Sequence, residues 1–276
     1  MLYTKDMKIH DKTFVVAGAG GGIGSELVLG LLQRGARVAG VDLKQENLDA
    51  LKSRAGKLSS NLSLHPLNIT DKEAVQKLPD DVITTHGSID GVINCAGIIL
   101  PFVKVNELKY DAIERVMNVN FFGTLYMTKS FLPYLLERDE AHLVNVSSMG
   151  GFLPVPGQSV YGASKAAVKL LTEGLYAELL DSPVRVSIVF PGATNTKITQ
   201  NSGVHMPAGA AMSDTAKLAA RMLPADKAAA IILDGIEHDK PQIFTGSDSR
   251  MMNRLYRLNP VFATKFIAKQ MKSLLK

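Results

Sequence analysis

Apolar and polar residues alternate along the chain with two periods, and these periods predict an α/β protein. Short, apolar, β-branched runs predict buried strands at residues 13–19, 37–42, 61–68, 90–97, 141–148, 184–190 and 242–246. Apolar residues three and four apart predict helices between them, from the glycines at 18–24 to Gly35 and at residues 71–86, 110–136, 158–180 and 225–238. Such alternation favours a parallel sheet with helices on both faces.

A glycine-rich turn follows the first predicted strand. Residues 18–24 read G-A-G-G-G-I-G, and an apolar helical pattern continues through Leu27 and Leu31. Glycines let the backbone approach a pyrophosphate, and a helix N-terminus offers it free N–H groups. A glycine loop alone can be an ordinary tight turn, but this one stands between a strand and a helix. The sequence therefore predicts a Rossmann-type doubly wound parallel sheet of about seven strands that binds a dinucleotide.

Asp42 ends the second predicted strand and bears on the choice of cofactor. An acid at this position can accept hydrogen bonds from both ribose hydroxyls of the adenosine half, and it repels a 2′-phosphate. The glycine loop contains no arginine or lysine, although Lys44 follows Asp42 closely. The sequence therefore favours NAD over NADP. The alternative for Asp42 is a helix N-cap.

Composition narrows the class of protein. Apolar residues make up 46% and charged residues 21% of the chain, as in soluble globular proteins. The single cysteine, Cys95, fits a reducing compartment. The first residues lack the apolar run of a signal peptide, and no run is long enough to span a membrane. We therefore expect one catalytic domain over residues 1–249 in a cytoplasmic protein.

The net charge of +5 lies in the remaining tail, residues 250–276, which holds seven lysines and arginines and no acid. Its apolar residues recur at helical spacing. Such a tail can lie on an anionic membrane surface, or it can pack on its own domain or a partner with its cations solvated. The isoelectric point of about 9.1 also suggests nucleic-acid binding as an alternative function. We expect no nucleic-acid partner, because the tail carries no nucleic-acid motif.

Candidate chemistry lies between residues 148 and 165. Tyr161 and Lys165 are four residues apart, so they share one face of the predicted helix. A neighbouring cation favours the phenolate and would bring the tyrosine pKa down from about 10 towards a useful range for acid–base catalysis. Ser148, at the end of the preceding strand, could hydrogen-bond the reacting oxygen. By itself, a Y-x-x-x-K pair is more often a solvated pair formed by chance.

Together, the motifs resemble the one-domain short-chain dehydrogenase/reductases over essentially the whole chain. The matching pieces, in the family's order, are residues 17–24, N-C-A-G at 94–97, V-N at 119–120, S-S at 147–148, Y-G-A-S-K at 161–165 and P-G at 191–192. The resemblance implies that Tyr161 is the general acid/base and that Lys165 lowers its pKa and holds the nicotinamide ribose. It also implies that Ser148 positions the substrate oxygen and that Asn120 holds a water in a proton relay.

Predicted cofactor contacts follow from the loop pattern and from the resemblance. They are Gly18, Gly20, Gly22, Ile23, Gly24, Asp42, Leu43, Asn68, Ile69, Asn94, Ala96, Gly97, Tyr161, Lys165, Pro191, Gly192, Thr194 and Thr196. Three positions depart from the family's pattern: Ala17 replaces a threonine, Cys95 replaces an asparagine, and Asn68 replaces an aspartate that contacts adenine. We expect the Asn68 amide oxygen to serve as the acceptor, and Cys95 to be a packing residue.

The implied reaction is reversible hydride transfer between NAD(H) and a secondary alcohol or ketone. The apolar residues 152–155, with Met206, Met212 and Met222 in a long loop at 197–224, favour a lipid- or steroid-like substrate, or they are core. The alternatives are an NADPH-dependent carbonyl or 3-oxoacyl reductase and a non-catalytic, nucleotide-responsive binding protein. We expect no metal, because the six histidines lack zinc spacing. The resemblance also implies a homodimer or homotetramer formed through the helices at 107–136 and 158–180.

Overall fold

The computed structural model describes residues 7–204 and 222–271. Its strands are β1 Thr13–Ala17, β2 Arg37–Asp42, β3 Leu62–Pro66, β4 Gly91–Asn94, β5 Ala141–Val146, β6 Val184–Pro191, β7 Thr194–Asn195, β8 Leu223–Pro224 and β9 Gln242–Thr245. Seven of them form one sheet in the order β3-β2-β1-β4-β5-β6-β9, and every pairing in it is parallel. The predicted fold class is confirmed.

Ten α-helices accompany these strands in the described part of the chain. They are α1 Gly22–Gln33, α2 Gln45–Ala55, α3 Lys72–His86, α4 Tyr110–Met117, α5 Thr124–Leu136, α6 Ser159–Glu178, α7 Ile198–Asn201, α8 Ala225–Glu237, α9 Ser247–Leu258 and α10 Pro260–Gln270. Asp71 caps α3 by accepting a hydrogen bond from the Ala74 N–H. Helix α2 was not predicted, although Leu48, Leu51 and Ala55 form its buried stripe.

The sheet lies between two apolar layers. One contains residues of α1 and α8, including Leu31 and Leu233, and the other contains residues of α3 and α5, including Leu78 and Phe131. Strands covered on both faces read as continuous apolar runs, which is the pattern that identified them in the sequence.

The order of the strands reverses at β1, which pairs with β2 on one side and with β4 on the other. A crevice forms at the carboxyl ends of the strands at such a reversal. Ala17 pairs with Asn94, so the glycine turn after β1 lies beside the chain that leaves β4. Gly18 has φ +80°, and a Cβ there would lie 2.7 Å from the Ala96 Cα, so glycine is needed for both reasons.

The single helix predicted at 110–136 is interrupted by a π-helical turn, Asn118–Gly123, between α4 and α5. Such wide turns are common at functional sites because they redirect backbone and side-chain groups. Asn120 lies within this turn and is fully buried.

Helices α9 and α10 form the C-terminal hairpin, residues 247–270, which begins slightly before the predicted tail. Met252 and Ala263 are its buried residues in a small apolar cluster with Leu153. Leu153 belongs to the turn that follows Ser148, so the hairpin packs beside that part of the predicted site. None of the helices in residues 7–204 and 222–271 has the length and apolarity needed to cross a bilayer.

Candidate active site

A cavity of about 430 Å³ opens at the carboxyl ends of the strands. Seventeen predicted site residues line it: Gly18, Gly22, Ile23, Gly24, Asp42, Leu43, Asn68, Ile69, Ala96, Gly97, Ser148, Tyr161, Lys165, Pro191, Gly192, Thr194 and Thr196. The fold therefore brings the glycine loop and the Tyr161 region, which are far apart in sequence, to one cavity.

Ser148 and Tyr161 form the polar centre of this cavity. Ser148 follows β5, and its hydroxyl oxygen accepts a hydrogen bond of 3.0 Å from the Gly150 N–H. The hydroxyl proton of Ser148 therefore remains available for the phenol of Tyr161 or for a bound oxygen. Desolvation raises the pKa of Tyr161, and the hydrogen bond with Ser148 opposes that rise.

Lys165 is buried one helical turn beyond Tyr161, with 4% of its surface exposed. Its ammonium group donates a 3.0 Å hydrogen bond to the Val146 carbonyl, and burial lowers its pKa to about 8. We predicted that Lys165 lowers the pKa of Tyr161. In the structure, desolvation of the phenol dominates and the hydrogen bond with Ser148 opposes it, so the predicted effect of Lys165 on the Tyr161 pKa stays a prediction.

Gly97 and Ser147 set the position of Lys165. A Cβ on Gly97 would lie 3.0 Å from the Lys165 Nζ, so glycine leaves room for the ammonium group in its observed position. The Ser147 hydroxyl donates to the Lys165 carbonyl at 2.7 Å and ties α6 to the end of β5. The two adjacent serines thus differ in function, since Ser147 fixes the helix and Ser148 contacts the phenol.

Asn120 is not among the residues that line the cavity, and its side-chain amide is hydrogen-bonded within the protein. Its Nδ2 donates to the Ile98 carbonyl and to the Ser164 hydroxyl, both at 3.0 Å, and its Oδ1 accepts from the Ile98 N–H at 2.8 Å. The side chain therefore fixes the loop after β4 against α6. The water-holding role predicted for Asn120 stays a prediction.

The glycine loop fits a pyrophosphate. Gly21 precedes α1, no side chain caps this end, and the first turn contains no acid, so no side chain of the first turn competes with a bound anion. A Cβ on Gly22 would lie 2.7 Å from the Thr196 side chain, which leaves no room for any larger residue. A helix N-terminus with these properties attracts phosphate.

Asp42 is fixed at the other end of the cavity. Its Oδ2 accepts from the Gly20 N–H at 3.0 Å, and its Oδ1 accepts from the Lys44 N–H at 3.1 Å and from the Asn47 Nδ2 at 3.4 Å. Gly20 is thus a partner of Asp42 within the glycine loop, and its predicted contact with the cofactor stays a prediction. These bonds hold a carboxylate in the cavity wall where the adenosine ribose was predicted.

Two predicted cofactor contacts, Asn68 and Asn94, form side-chain hydrogen bonds within the protein. The Asn68 Oδ1 accepts from both the N–H and the hydroxyl of Thr70, and Asn68 lines the cavity, so its predicted contact with adenine stays a prediction. The Asn94 Nδ2 donates to Asn145 and Thr128 inside the protein, and Asn94 does not line the cavity. The side chain of Asn94 therefore links two strands to α5.

Comparison with known proteins supports the same conclusion. The family model for short chain dehydrogenases matches residues 12–206. The chain belongs to the short-chain dehydrogenase family. This dehydrogenase is therefore an NAD(P)-dependent oxidoreductase, as its sequence motifs implied.

Relatives and solved structures match this dehydrogenase over most of its length. It is 32% identical to the oxidoreductase SadH of Mycobacterium tuberculosis over 252 residues, 90% of each chain. It is 38% identical to an uncharacterized oxidoreductase of Staphylococcus aureus, over 69% of this chain and 81% of the other.

Two solved structures share the fold. A short chain dehydrogenase/reductase from Burkholderia phymatum in complex with NAD has a TM-score of 0.80 at 22% identity, and 91% of this chain and 96% of the other are covered. A short chain dehydrogenase from Burkholderia cenocepacia in complex with NADP has a TM-score of 0.78 at 26% identity, with 95% and 99% covered.

The cavity of the dehydrogenase also has apolar walls, most of which the sequence analysis did not identify. Ile98, Ile99, Ile198 and the predicted Met222 line it. Their signal was weak, because they lie in loops and in a short helix without regular apolar spacing. Arg115 of α4 also reaches the cavity, and its guanidinium donates to the Ser202 carbonyl at 3.3 Å.

Other predicted substrate contacts lie elsewhere. Phe152 packs edge-on against Phe190, with ring centroids 5.4 Å apart, and Leu153 is fully buried under the C-terminal hairpin. For these two residues the core interpretation holds. Met206 and Met212 lie outside the described residues. Burial raises the pKa of Cys95 to about 11, which favours the predicted packing role over a nucleophile.

Proposed function

We propose that this dehydrogenase interconverts a hydrophobic secondary alcohol and the corresponding ketone with NAD(H), and that Tyr161 transfers the proton. The observation that carries the proposal is that Tyr161, hydrogen-bonded to Ser148, shares one cavity with the glycine loop and with the carboxylate of Asp42. A nicotinamide cofactor supplies or accepts the hydride when bound. The chain's own residues must then orient the substrate and move one proton.

The proton step falls to Tyr161 and Ser148. A raised pKa keeps the phenol protonated near neutral pH, so Tyr161 can donate a proton to a carbonyl oxygen as that oxygen gains charge. The Ser148 hydroxyl, whose oxygen is held by the Gly150 N–H, directs its proton to the same oxygen. In alcohol oxidation the same groups act in reverse, and the phenol must first lose its proton.

Lys165 contributes to this step through position and charge. Its ammonium group is fixed by the Val146 carbonyl one turn from Tyr161, and there it can hold a ribose hydroxyl of the cofactor. Since its pKa is about 8, it keeps its charge at neutral pH. Its loss of charge above that pH would withdraw the electrostatic support that a phenolate needs.

Asp42 supports NAD as the cofactor. The carboxylate is held by two backbone N–H groups and one side-chain amide, so it cannot easily turn away from a 2′-phosphate. Repulsion between these two anions disfavours NADP. The alternative is an NADPH-dependent carbonyl or 3-oxoacyl reductase, and it is favoured by Lys44, which also lines this end of the cavity.

The apolar wall supports a hydrophobic substrate. Four apolar residues, Ile98, Ile99, Ile198 and Met222, line the cavity that also contains Tyr161. Burial of a lipid- or steroid-like skeleton against these residues would provide affinity, and Ser148 and Tyr161 would select its oxygen.

Cofactor preference and substrate class can be tested together. Purified enzyme is screened with hydrophobic secondary alcohols and ketones, and kcat/KM is measured with NADH and with NADPH. We expect at least a tenfold preference for NADH, and a loss of about tenfold of that preference in Asp42→Asn, since one unit charge facing a phosphate is removed. Asp49→Asn, a charge change on the exposed face of α2, is the matched control. A wild-type preference for NADPH would favour the reductase alternative.

A further inference from the structure

Helix α10 lies on the protein surface with little packing. Of its eleven residues only Ala263 is buried, and Ile267 is partly buried one turn later. Five large apolar side chains of the hairpin are instead exposed: Met251 by 58% and, from the end of α9 onward, Leu258 by 85%, Val261 by 62%, Phe262 by 54% and Phe266 by 38%. A helix of this length is only marginally stable in water without a surface to cover its apolar residues.

Two of the exposed apolar residues form an aromatic patch on α10. Phe262 and Phe266 are one helical turn apart, and their rings stack with centroids 6.4 Å apart and an interplanar angle of 20°. Leu258 precedes Phe262 by four residues at the end of α9. The opposite side of the hairpin, through Met252 and Ala263, packs on Leu153. The hairpin therefore has one face on the protein and one apolar face turned outward.

Cations surround this outward face. Lys265 and Lys269 follow Phe262 and Phe266 by three residues each, so on α10 they share its exposed side. Across 250–276 there are seven lysines and arginines and no acid. The whole chain has an excess of only five positive charges, so the residues before this segment are slightly acidic in total. Positive charge is thus concentrated where the apolar residues are exposed.

We propose that the outward face of the C-terminal hairpin binds an anionic lipid surface. Stacked phenylalanines and aliphatic side chains would enter the headgroup boundary, while lysine side chains extend their charge to lipid phosphates. A second copy of the chain fits this face less well. A symmetric contact between two hairpins would bring their cations together without any acid to neutralise them.

Docking would also orient the candidate active site. The hairpin packs through Met252 and Ala263 on Leu153, which lies in the turn directly after Ser148. An attached hairpin therefore holds the Ser148 end of the molecule close to the lipid. The proposal itself requires only binding, and it stands or falls independently of the reaction.

The test is co-sedimentation of the full chain with vesicles. One set contains phosphatidylglycerol mixed with phosphatidylcholine, and the other contains phosphatidylcholine alone. We expect binding to the anionic set that weakens as salt is raised, and at least a tenfold loss in Phe262→Ser/Phe266→Ser and in Lys265→Gln/Lys269→Gln. The matched controls are Tyr110→Ser, an exposed aromatic residue elsewhere, and Lys57→Gln/Lys77→Gln, and both should bind like wild type.

Thermal unfolding of each variant shows whether it is folded, and light scattering gives its mass. The proposal is overturned if the wild type fails to sediment with anionic vesicles at low salt, or if both double variants bind as tightly as wild type. It is also overturned if the double variants convert a dimer into a monomer while vesicle binding stays unchanged, because the face would then be occupied by a second copy.

Discussion

Helices α6 and α10 both place an aromatic residue and a lysine on one face, yet their surroundings give the pairs different properties. In α6 the pair is Tyr161 and Lys165, and the lysine is 4% exposed and bonded to a backbone carbonyl. In α10 the pair is Phe262 and Lys265; the phenylalanine is 54% exposed and the lysine lies in solvent. Similar spacing supports acid–base chemistry in one helix and surface attachment in the other.

The difference arises from what each helix packs against. Helix α6 is held by Ser147, by the buried side chain of Asn120 through Ser164, and by the strands behind it. Burial there shifts the pKa of Lys165 to about 8. Helix α10 contacts the protein through Ala263 and Ile267. Burial thus alters the chemistry of the pair in α6, whereas Phe262 has no ionisable group and the pair in α10 can offer only apolar surface and charge.

The largest expected effect comes from removing the phenol of α6. Tyr161→Phe should lower kcat by about 10²–10⁴-fold, because the proton donor is lost, while the affinity for NADH persists. Steady-state turnover and NADH fluorescence titration measure the two quantities. Tyr176→Phe, on the same helix but 43% exposed, is the control and should keep wild-type turnover. Equal turnover in both variants would remove Tyr161 from the mechanism.

Stability gives a second way to separate the two environments. Phe131→Ala, in the core, should lower the free energy of unfolding by about 3–5 kcal/mol, because it leaves a cavity in a fully buried site. Phe262→Ala should change it by less than about 0.5 kcal/mol. Urea unfolding measures both. A large loss in Phe262→Ala would mean that α10 contributes to the core after all.

The last prediction concerns the pH dependence of stability. His142 is buried beside Ser187, with Asp239 and Arg185 also facing it, and burial lowers its pKa to about 3. The unfolded chain, with a histidine pKa near 6.5, binds more protons between these values. The free energy of unfolding should therefore fall as pH drops through this window, by at most about 1.4 kcal/mol per pH unit.

The variant His142→Gln checks this assignment. It should show a shallower loss of stability between pH 6.5 and 3 in urea unfolding, because the titrating group is absent. His238→Gln, an exposed histidine, should keep the wild-type slope. A variant His142→Gln with the wild-type slope would assign the pH dependence to other groups.

Much of the fold could be predicted because buried parallel strands have a clear pattern. The seven sheet strands were predicted within a few residues of their observed ends. Helix α2 was missed because its apolar stripe of Leu48, Leu51 and Ala55 is short and surrounded by polar residues. The π turn at Asn120 was missed because it continues the apolar spacing of the flanking helices.

The site was predictable in its members but less in their contacts. One cavity brings together the glycine loop, Asp42, Ser148, Tyr161 and Lys165, as the motifs implied. The sequence could not show that the Asn68 Oδ1 accepts a hydrogen bond from Thr70, because this bond depends on the conformation of a local turn. It also could not show the direction of the Tyr161 pKa, which depends on desolvation. The predicted dimer or tetramer stays a prediction.

The contact between Leu153 and the C-terminal hairpin has a consequence for protein engineering. A fragment that stops before Ser247 would keep every strand of the sheet. It would, however, expose Leu153, which follows the candidate catalytic residue Ser148 by five residues. Water would then reach the packing that supports the 149–153 turn. Expression designs that trim the basic end for solubility would therefore also loosen the wall behind Ser148.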